Sequence, residues 1–147
     1  MNNQPIEVAI GIIYKTSPLR FLMQLRDDIP SIIFPGHWAL FGGHIEPGET
    51  PEIAFKRELK EEIDYFPGQS FKFGSFPTPR VIRHVYYTSL EVEFEQLKLQ
   101  EGLDMGWLGA DDIRRGYHYS PKINEHRPLA APQRQILLDF IDQNQVN

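Results

Sequence analysis

The sequence has no cysteine among its 147 residues, which excludes a disulfide framework, thiol chemistry and a zinc site built on cysteine. Its N-terminus lacks the charged start and apolar core of a signal peptide, and its longest apolar run, residues 8–14, is too short to span a bilayer. Basic residues are outnumbered, with 15 Lys and Arg against 20 Asp and Glu, which argues against a broad basic surface for a nucleic acid polymer. We therefore expect a cytoplasmic protein with neither a membrane nor a nucleic acid partner.

The residues that are present suit one domain. A chain of 147 residues with 41% hydrophobic content can bury one core, and no repeat or linker divides it, so we expect a single domain over residues 1–147. The net charge of −5 does not oppose a phosphate-bearing substrate, because a bound cation would supply positive charge locally. The sequence leaves open whether the protein is a monomer or a homodimer.

Apolar segments set the expected order of elements. They predict strands at residues 6–14, 19–26, 38–41, 69–76, 81–94 (as one strand or two) and 106–108. Helices are predicted from residue 51 to a stop at Pro67 and Gly68, over 111–115, and over 132–141, whereas 27–36 and 116–132 are predicted as loops. A helix joined to strands by short connections predicts a mixed sheet with helices on both faces, which is an α/β fold.

The helix after Thr50 carries the clearest signals. Thr50 is a good N-cap residue, and Pro51 suits the first helical position, where a missing N–H costs nothing. Apolar residues recur after four, four and three positions, which predicts one apolar stripe along the helix, formed by Phe55, Leu59, Ile63 and Phe66. Three carboxylates fall on neighbouring positions beside that stripe: Glu58, Glu61 and Glu62.

These carboxylates repel one another, and a divalent cation would relieve the repulsion. Ligands that are all oxygen favour Mg²⁺ or Mn²⁺ over Zn²⁺. Upstream, Gly42 and Gly43 allow the backbone to pass close to a ligand, so that a main-chain carbonyl can join the carboxylates. The alternative is an ordinary surface helix with solvated glutamates, because Glu-rich helix faces are common.

The full spacing is more specific than the helix alone. Gly43 is followed after five residues by Glu49, and after seven more by a segment with fixed positions: Arg57-Glu58-Leu59, Glu61-Glu62 and Asp64-Tyr65. This pattern resembles the Nudix box, in which Gly and an aliphatic residue stand where this chain has Asp64 and Tyr65. Asp tolerates the left-handed conformation that the missing Gly would serve, so the substitution affects the helix exit and removes no ligand.

The resemblance implies an α/β/α sandwich with a mixed sheet and a Mg²⁺-dependent hydrolase that cleaves the diphosphate linkage of a nucleoside diphosphate derivative. It assigns Glu58, Glu61, Glu62 and the Gly42 carbonyl as metal ligands, and it does not say which carboxylate is the general base. Glu101, on a predicted loop, resembles the family's additional glutamate, which serves as ligand or base; a solvated glutamate is the alternative. Glu49 and Arg57 are expected to pair, with the Arg fork orienting a carboxylate bidentately; an exposed salt bridge is the alternative.

Substrate selection lies outside the box. The residues that could contact substrate are Arg26 at a strand end, Arg83, and two aromatic residues that could stack on a base, Phe34 and Trp38. Core packing is the alternative for the aromatic residues. The compact chain favours a nucleoside triphosphate or a nucleotide sugar, with ADP-ribose as a further candidate.

Two other functions are compatible with the pattern. A Nudix-fold sensor or regulator would bind a nucleotide or sugar nucleotide without turnover, but such modules usually lose a box glutamate, and this chain keeps all four. A binding module outside the family would have an acidic surface helix with the same spacing by chance. Mg²⁺-dependent product release separates the enzyme from both alternatives.

Overall fold

A computed structural model describes residues 4–143. Over this range the elements, in chain order, are β1 (Ile6–Lys15), β2 (Arg20–Leu25), β3 (Trp38–Ala39), β4 (Phe41–His44), α1 (Pro51–Ile63), β5 (Phe71–Pro77), β6 (Val81–Ser89), a 3₁₀ turn (Phe94–Gln96), β7 (Asp104–Gly109), α2 (Ala110–Arg115), β8 (Tyr117–Ser120), β9 (Glu125–Pro128) and α3 (Ala131–Asp142). The α/β fold class predicted from the sequence is confirmed. None of the helices described between residues 4 and 143 is long and apolar enough to cross a membrane.

The chain divides into two units, the first formed by residues up to 12 with 41–98, the second by 13–40 with residues from 99 onward. In the first unit, β1 pairs with β4 antiparallel, with Ile10 opposite Gly42, and lies next to β6, which pairs with β5. Helix α1 packs on these strands through Phe55. The ring of Phe55 lies so close to Gly11 that a Cβ there would be 1.9 Å from it, and it stacks on Tyr86 with centroids 6.0 Å apart.

Helix α1 begins where its sequence signals predict, but it ends at Ile63, before the predicted stop at Pro67 and Gly68. The Thr50 side chain accepts a hydrogen bond from the Ile53 N–H, and Pro51 is the first helical residue. Asp64 adopts the left-handed conformation with φ 55°, which confirms the expectation that it replaces the Gly of the pattern. Tyr65, which stands in place of an aliphatic residue, is buried, and its hydroxyl accepts a hydrogen bond from the Glu91 N–H.

The second unit contains the end of β1, β2, β3 and β7, with β2 pairing antiparallel to each of the others. Its core includes the ring of Phe140 on α3, which lies 6.1 Å from Phe21 and 6.2 Å from Tyr14. Strands β8 and β9 form a separate antiparallel hairpin. Trp38 is buried in this unit and donates a hydrogen bond from Nε1 to the His118 carbonyl.

Three element predictions were wrong. Residues 116–132 are not a loop, because β8 and β9 pair there around a turn in which Asn124 has φ 60°. The predicted strand over 81–94 stops at Ser89 and is followed by the 3₁₀ turn. Phe66 does not extend the apolar stripe, because α1 ends at Ile63 and the Phe66 side chain is 69% exposed.

Candidate functional site

The glycine pair in β4 makes room for the carboxylates of α1. Gly42 has φ 144°, and a Cβ there would lie 2.1 Å from the Ala9 carbonyl oxygen, so this position requires glycine. Its N–H donates a hydrogen bond to Glu62 Oε2 at 3.0 Å. At Gly43 a Cβ would lie 2.6 Å from Glu58 Oε1, so the Glu58 carboxylate packs directly on the bare backbone. Both glycines therefore meet a glutamate of the helix.

The three helix carboxylates differ in exposure along one turn. Glu62 is buried, with 5% of its surface exposed. The side chain of Glu58 is 18% exposed and that of Glu61 is 59% exposed. The set therefore runs from the buried surface next to β4 out into solvent.

Arg57 connects these carboxylates to the loop before the helix. Its Nε and Nη2 donate to the two oxygens of Glu49 at 2.6 and 3.0 Å, and Nη2 also donates to the His44 carbonyl at 3.0 Å. Nη1 donates to Glu58 at 3.1 Å and to Glu61 at 3.4 Å. The hydrogen bonds from Arg57 lower the pKa of Glu49, and the same contact raises the pKa of Arg57.

Glu46 belongs to the same network and was missed by the sequence analysis. Its carboxylate lies 3.7 Å from Arg57 Nη1, and its N–H donates to Glu49 Oε1 at 2.9 Å. The Glu49 N–H returns a hydrogen bond to the Glu46 carbonyl at 3.0 Å. The spacing of two glutamates three residues apart, with Gly48 at φ 85° between them, is the signal that could have identified this turn.

The donor set suits a hard divalent cation. Its donors are all oxygens, they come from one helical turn, and the Glu58 carboxylate occupies space that any side chain at residue 43 would fill. As placed, no three acidic or histidine side chains within residues 4–143 converge on one point. Glu58 and Glu61 instead share Arg57 Nη1, so a cation would compete with this nitrogen for both carboxylates.

The other predicted residues lie in different places. Arg83 belongs to the first unit, on β6, and is almost fully buried. Arg26, Phe34, Trp38 and Glu101 all belong to the second unit. The structure thus joins Gly42 to Glu62 by one hydrogen bond and joins Arg57 to Glu49, Glu58 and Glu61 by others. The other five predicted residues belong to neither group.

In the second unit, Arg26 and Phe34 retain features that suit ligand contact. Arg26 Nε is enclosed and, over the described part of the chain, lacks a hydrogen-bond partner. Phe34 has φ 52°, which is rare for a bulky residue, and its ring lies 5.6 Å from that of His37. Glu101 is on an exposed loop next to Gly102, which has φ 98°. Trp38 is a core residue, so its prediction as a base-stacking residue was wrong.

Comparison with known proteins is consistent with this geometry. Residues 5–131 match the family model described as NUDIX domain. The chain is 58% identical over 42 residues to the nucleoside triphosphatase NudI of Escherichia coli O1:K1 / APEC, and 61% identical over 31 residues to NudI of Enterobacter sp. (strain 638). These stretches cover 29% and 21% of this chain and only 28% and 22% of those relatives.

Solved structures match over nearly the whole chain. A MutT/nudix family protein from Enterococcus faecalis gives a TM-score of 0.74 at 18% identity, covering 98% of this chain and 63% of that one. MutT, from a study of Aliivibrio salmonicida and Vibrio cholerae, gives a TM-score of 0.72 at 23% identity, and the match covers 95% of this chain and 99% of that one. The NUDIX domain of Shewanella oneidensis NrtR, complexed with ADP ribose, gives a TM-score of 0.72 at 17% identity, and the match covers 97% of this chain and 90% of that one. At these identities the likeness concerns the fold alone, and it confirms the predicted α/β/α architecture.

Proposed function

Because this chain belongs to the Nudix family, we propose that it is a Mg²⁺-dependent pyrophosphohydrolase that cleaves the diphosphate linkage of a nucleoside diphosphate derivative. The observation that carries the proposal is the contact of two helix glutamates, Glu58 and Glu62, with the glycine pair of β4. In a surface helix with solvated glutamates, Glu62 would be exposed and Glu58 would not pack against the backbone of Gly43, because burying a charged group is costly.

Glu58, Glu61, Glu62 and the Gly42 carbonyl would hold the cation, with Mn²⁺ as a substitute for Mg²⁺. When bound, the cation neutralises the diphosphate and lowers the pKa of the attacking water. The three carboxylates bring negative charge to one turn, and Arg57 holds two of them in place until the cation competes for them. Either a helix carboxylate or Glu101 takes the proton from water, and the two assignments remain alternatives.

Glu49 and Arg57 act as positioning residues. The fork of Arg57 is fixed by both oxygens of Glu49 and by the His44 carbonyl, which leaves Nη1 aimed at Glu58 and Glu61. Arg57 therefore holds both of these carboxylates from one side. Loss of Glu49 would free the guanidinium to rotate, and the ligands would lose their common anchor.

The favoured substrates are nucleoside triphosphates and nucleotide sugars, with ADP-ribose as a further candidate. The NudI relatives are named nucleoside triphosphatases, and the NrtR domain of the same fold was crystallised with ADP ribose. Arg26, Phe34 and Arg83 are the proposed substrate contacts. A single domain over residues 1–147 and a cytoplasmic location remain predictions, as does a monomer or homodimer.

The test is product release from a panel of these compounds with Mg²⁺, for the wild type and for Glu62→Gln. From at least one compound we expect a nucleoside monophosphate, released with pyrophosphate from a triphosphate or with a sugar phosphate from a nucleotide sugar or ADP-ribose. In the variant we expect at least a 100-fold loss of kcat, roughly the scale of removing one transition-state contact. Glu95→Gln is the matched control, because Glu95 is exposed in the 3₁₀ turn. Binding across the panel without turnover would support the sensor alternative and overturn the proposal.

A further inference from the structure

Three polar side chains form a hydrogen-bonded row across β5, β6 and β1. Ser75 Oγ lies 2.9 Å from His84 Nδ1, and His84 Nε2 lies 2.8 Å from Glu7 Oε1. An ionised carboxylate only accepts hydrogen bonds, so Glu7 holds the neutral imidazole with its proton on Nε2. Nδ1 is then the acceptor for the Ser75 hydroxyl. The row thus contains a nucleophile, a base and a group that orients the base, in the order that nucleophilic catalysis requires.

The row is open to solvent at the serine and sheltered at the histidine. Ser75 is exposed, whereas the side chain of His84 is 15% exposed and that of Glu7 is 55% exposed. A substrate can therefore reach the hydroxyl from solvent while the imidazole keeps its orientation. The three residues belong to the first unit and to β1, β5 and β6, whereas the proposed metal ligands are on β4 and α1.

The backbone pairing of β5 with β6 explains why the two side chains meet. The Thr78 N–H donates to the Val81 carbonyl at 2.8 Å, and the residue pairs of an antiparallel ladder alternate between hydrogen-bonded and non-hydrogen-bonded. The register is regular from this pair back to the β-bulge between residues 72 and 74. Ser75 and His84 are therefore a non-hydrogen-bonded pair, the kind in which facing side chains lie closest.

The same pairing directs a backbone donor toward the substrate side. In a non-hydrogen-bonded pair, each N–H points away from the partner strand, and over residues 4–143 no strand pairs with the other side of β5. The Ser75 N–H therefore faces the open edge of the sheet, beside its own hydroxyl. Pro77 takes the next position of this kind, where a missing N–H is tolerated. The N–H of a nucleophilic serine can stabilise the oxyanion of a tetrahedral intermediate.

On these observations we propose that Ser75, His84 and Glu7 form a second catalytic site, which hydrolyses small carboxylic esters through an acyl-serine. The Ser75 oxygen attacks the ester carbonyl carbon as its proton passes to His84 Nδ1. The bond to the leaving alcohol breaks, and the alcohol takes that proton. Water then attacks the acyl carbon and gives a proton to Nδ1, which passes it to the Ser75 oxygen as the carboxylic acid leaves. Small esters are the expected substrates because Ser75 stands on an exposed strand edge.

Covalent labelling tests the nucleophile. A fluorophosphonate probe, used with EDTA present, should label Ser75 in the wild type, as located by mass spectrometry of its peptide. Hydrolysis of p-nitrophenyl acetate should fall to the background rate in Ser75→Ala. In His84→Gln both reactions should slow by about 100-fold, the scale of a general base. Ser89 is the matched control and should stay unlabelled, because its hydroxyl donates to the carboxylate of Glu91 at 2.6 Å instead of to an imidazole.

The absence of cysteine from the chain allows a second readout. Ser75→Cys should react with iodoacetamide about ten-fold faster than Ser89→Cys, because an adjacent imidazole promotes the thiolate. Adding Glu7→Gln to Ser75→Cys should slow the reaction, since an amide N–H can donate to Nε2 and reverse the tautomer of His84.

Melting temperatures identify any variant that fails to fold; if His84→Gln does, the two thiol variants carry the test. An unlabelled Ser75, or equal alkylation of the two thiols, would overturn the inference and leave the row as a polar surface contact. Because every measurement is made with EDTA, neither result bears on the proposed Mg²⁺-dependent function.

Discussion

The two glycines of β4 should fail in different ways when each is replaced by alanine. At Gly43 the new Cβ would lie 2.6 Å from Glu58 Oε1, whereas ordinary contact begins at 3.4 Å, so the carboxylate must move by about 0.8 Å. Glu58 is a flexible side chain that can move cheaply, so stability changes little. A metal ligand misplaced by about 1 Å is expected to cost roughly 100-fold in rate.

Gly42→Ala is the internal control, because its clash is with backbone. Its Cβ would lie 2.1 Å from the Ala9 carbonyl oxygen, at a φ of 144° that side chains rarely adopt. Strain of that kind lowers the free energy of unfolding by about 1–3 kcal/mol. Melting temperature and kcat/KM with Mg²⁺ are measured for both variants. Gly43→Ala should melt within about 2 °C of the wild type and lose activity. Full activity in Gly43→Ala would refute the assignment of Glu58 as a ligand.

Three further predictions test the packing and charges around the site. Arg57 lowers the pKa of Glu49, so their contact stabilises the fold above pH 4.5, and this stabilisation is lost as the pH falls below that value. The melting temperature of Glu49→Gln should therefore fall less on acidification than that of the wild type. Parallel curves of melting temperature against pH would contradict this. Gly11→Ala places a Cβ 1.9 Å from the Phe55 ring and should lower the free energy of unfolding by about 1–3 kcal/mol, with partial recovery when Phe55→Leu is added; denaturant titration measures both. Asp64→Gly should keep the wild-type melting temperature and Asp64→Val should lower it, because φ is 55° there; equal melting of the two would argue against the left-handed cap.

The first helix could be predicted because its signals are local. Thr50 and Pro51 mark its start, so no long-range contact had to be known there, whereas its end at Ile63 comes before the predicted stop at Pro67 and Gly68. The fixed spacing of the glutamates likewise indicated which side chains share one turn. Their partners could not be predicted in the same way. That Glu62 receives the Gly42 N–H depends on the register of β4 against α1, which sequence spacing does not determine.

The errors arise where one residue changes the local geometry. The hairpin of β8 and β9 was hidden by its prolines, although Pro128 lies at the end of a strand, where a missing N–H is tolerated. The bulge in β5 shifts the alternation of its phenylalanines and cannot be read from a period of two. Trp38 fitted both a core and a stacking role from sequence alone, and only its burial decides between them.

Titration with Mg²⁺ tests the proposed metal site most directly, since binding is measured without any choice of substrate. The wild type should give a saturable calorimetric signal, and Mg²⁺ at ten times its dissociation constant should raise the free energy of unfolding by about 1.4 kcal/mol. Glu58→Gln should weaken the binding, and Glu95→Gln should leave it unchanged. A wild type that shows neither heat nor a shift in melting temperature with Mg²⁺ or Mn²⁺ would contradict the account.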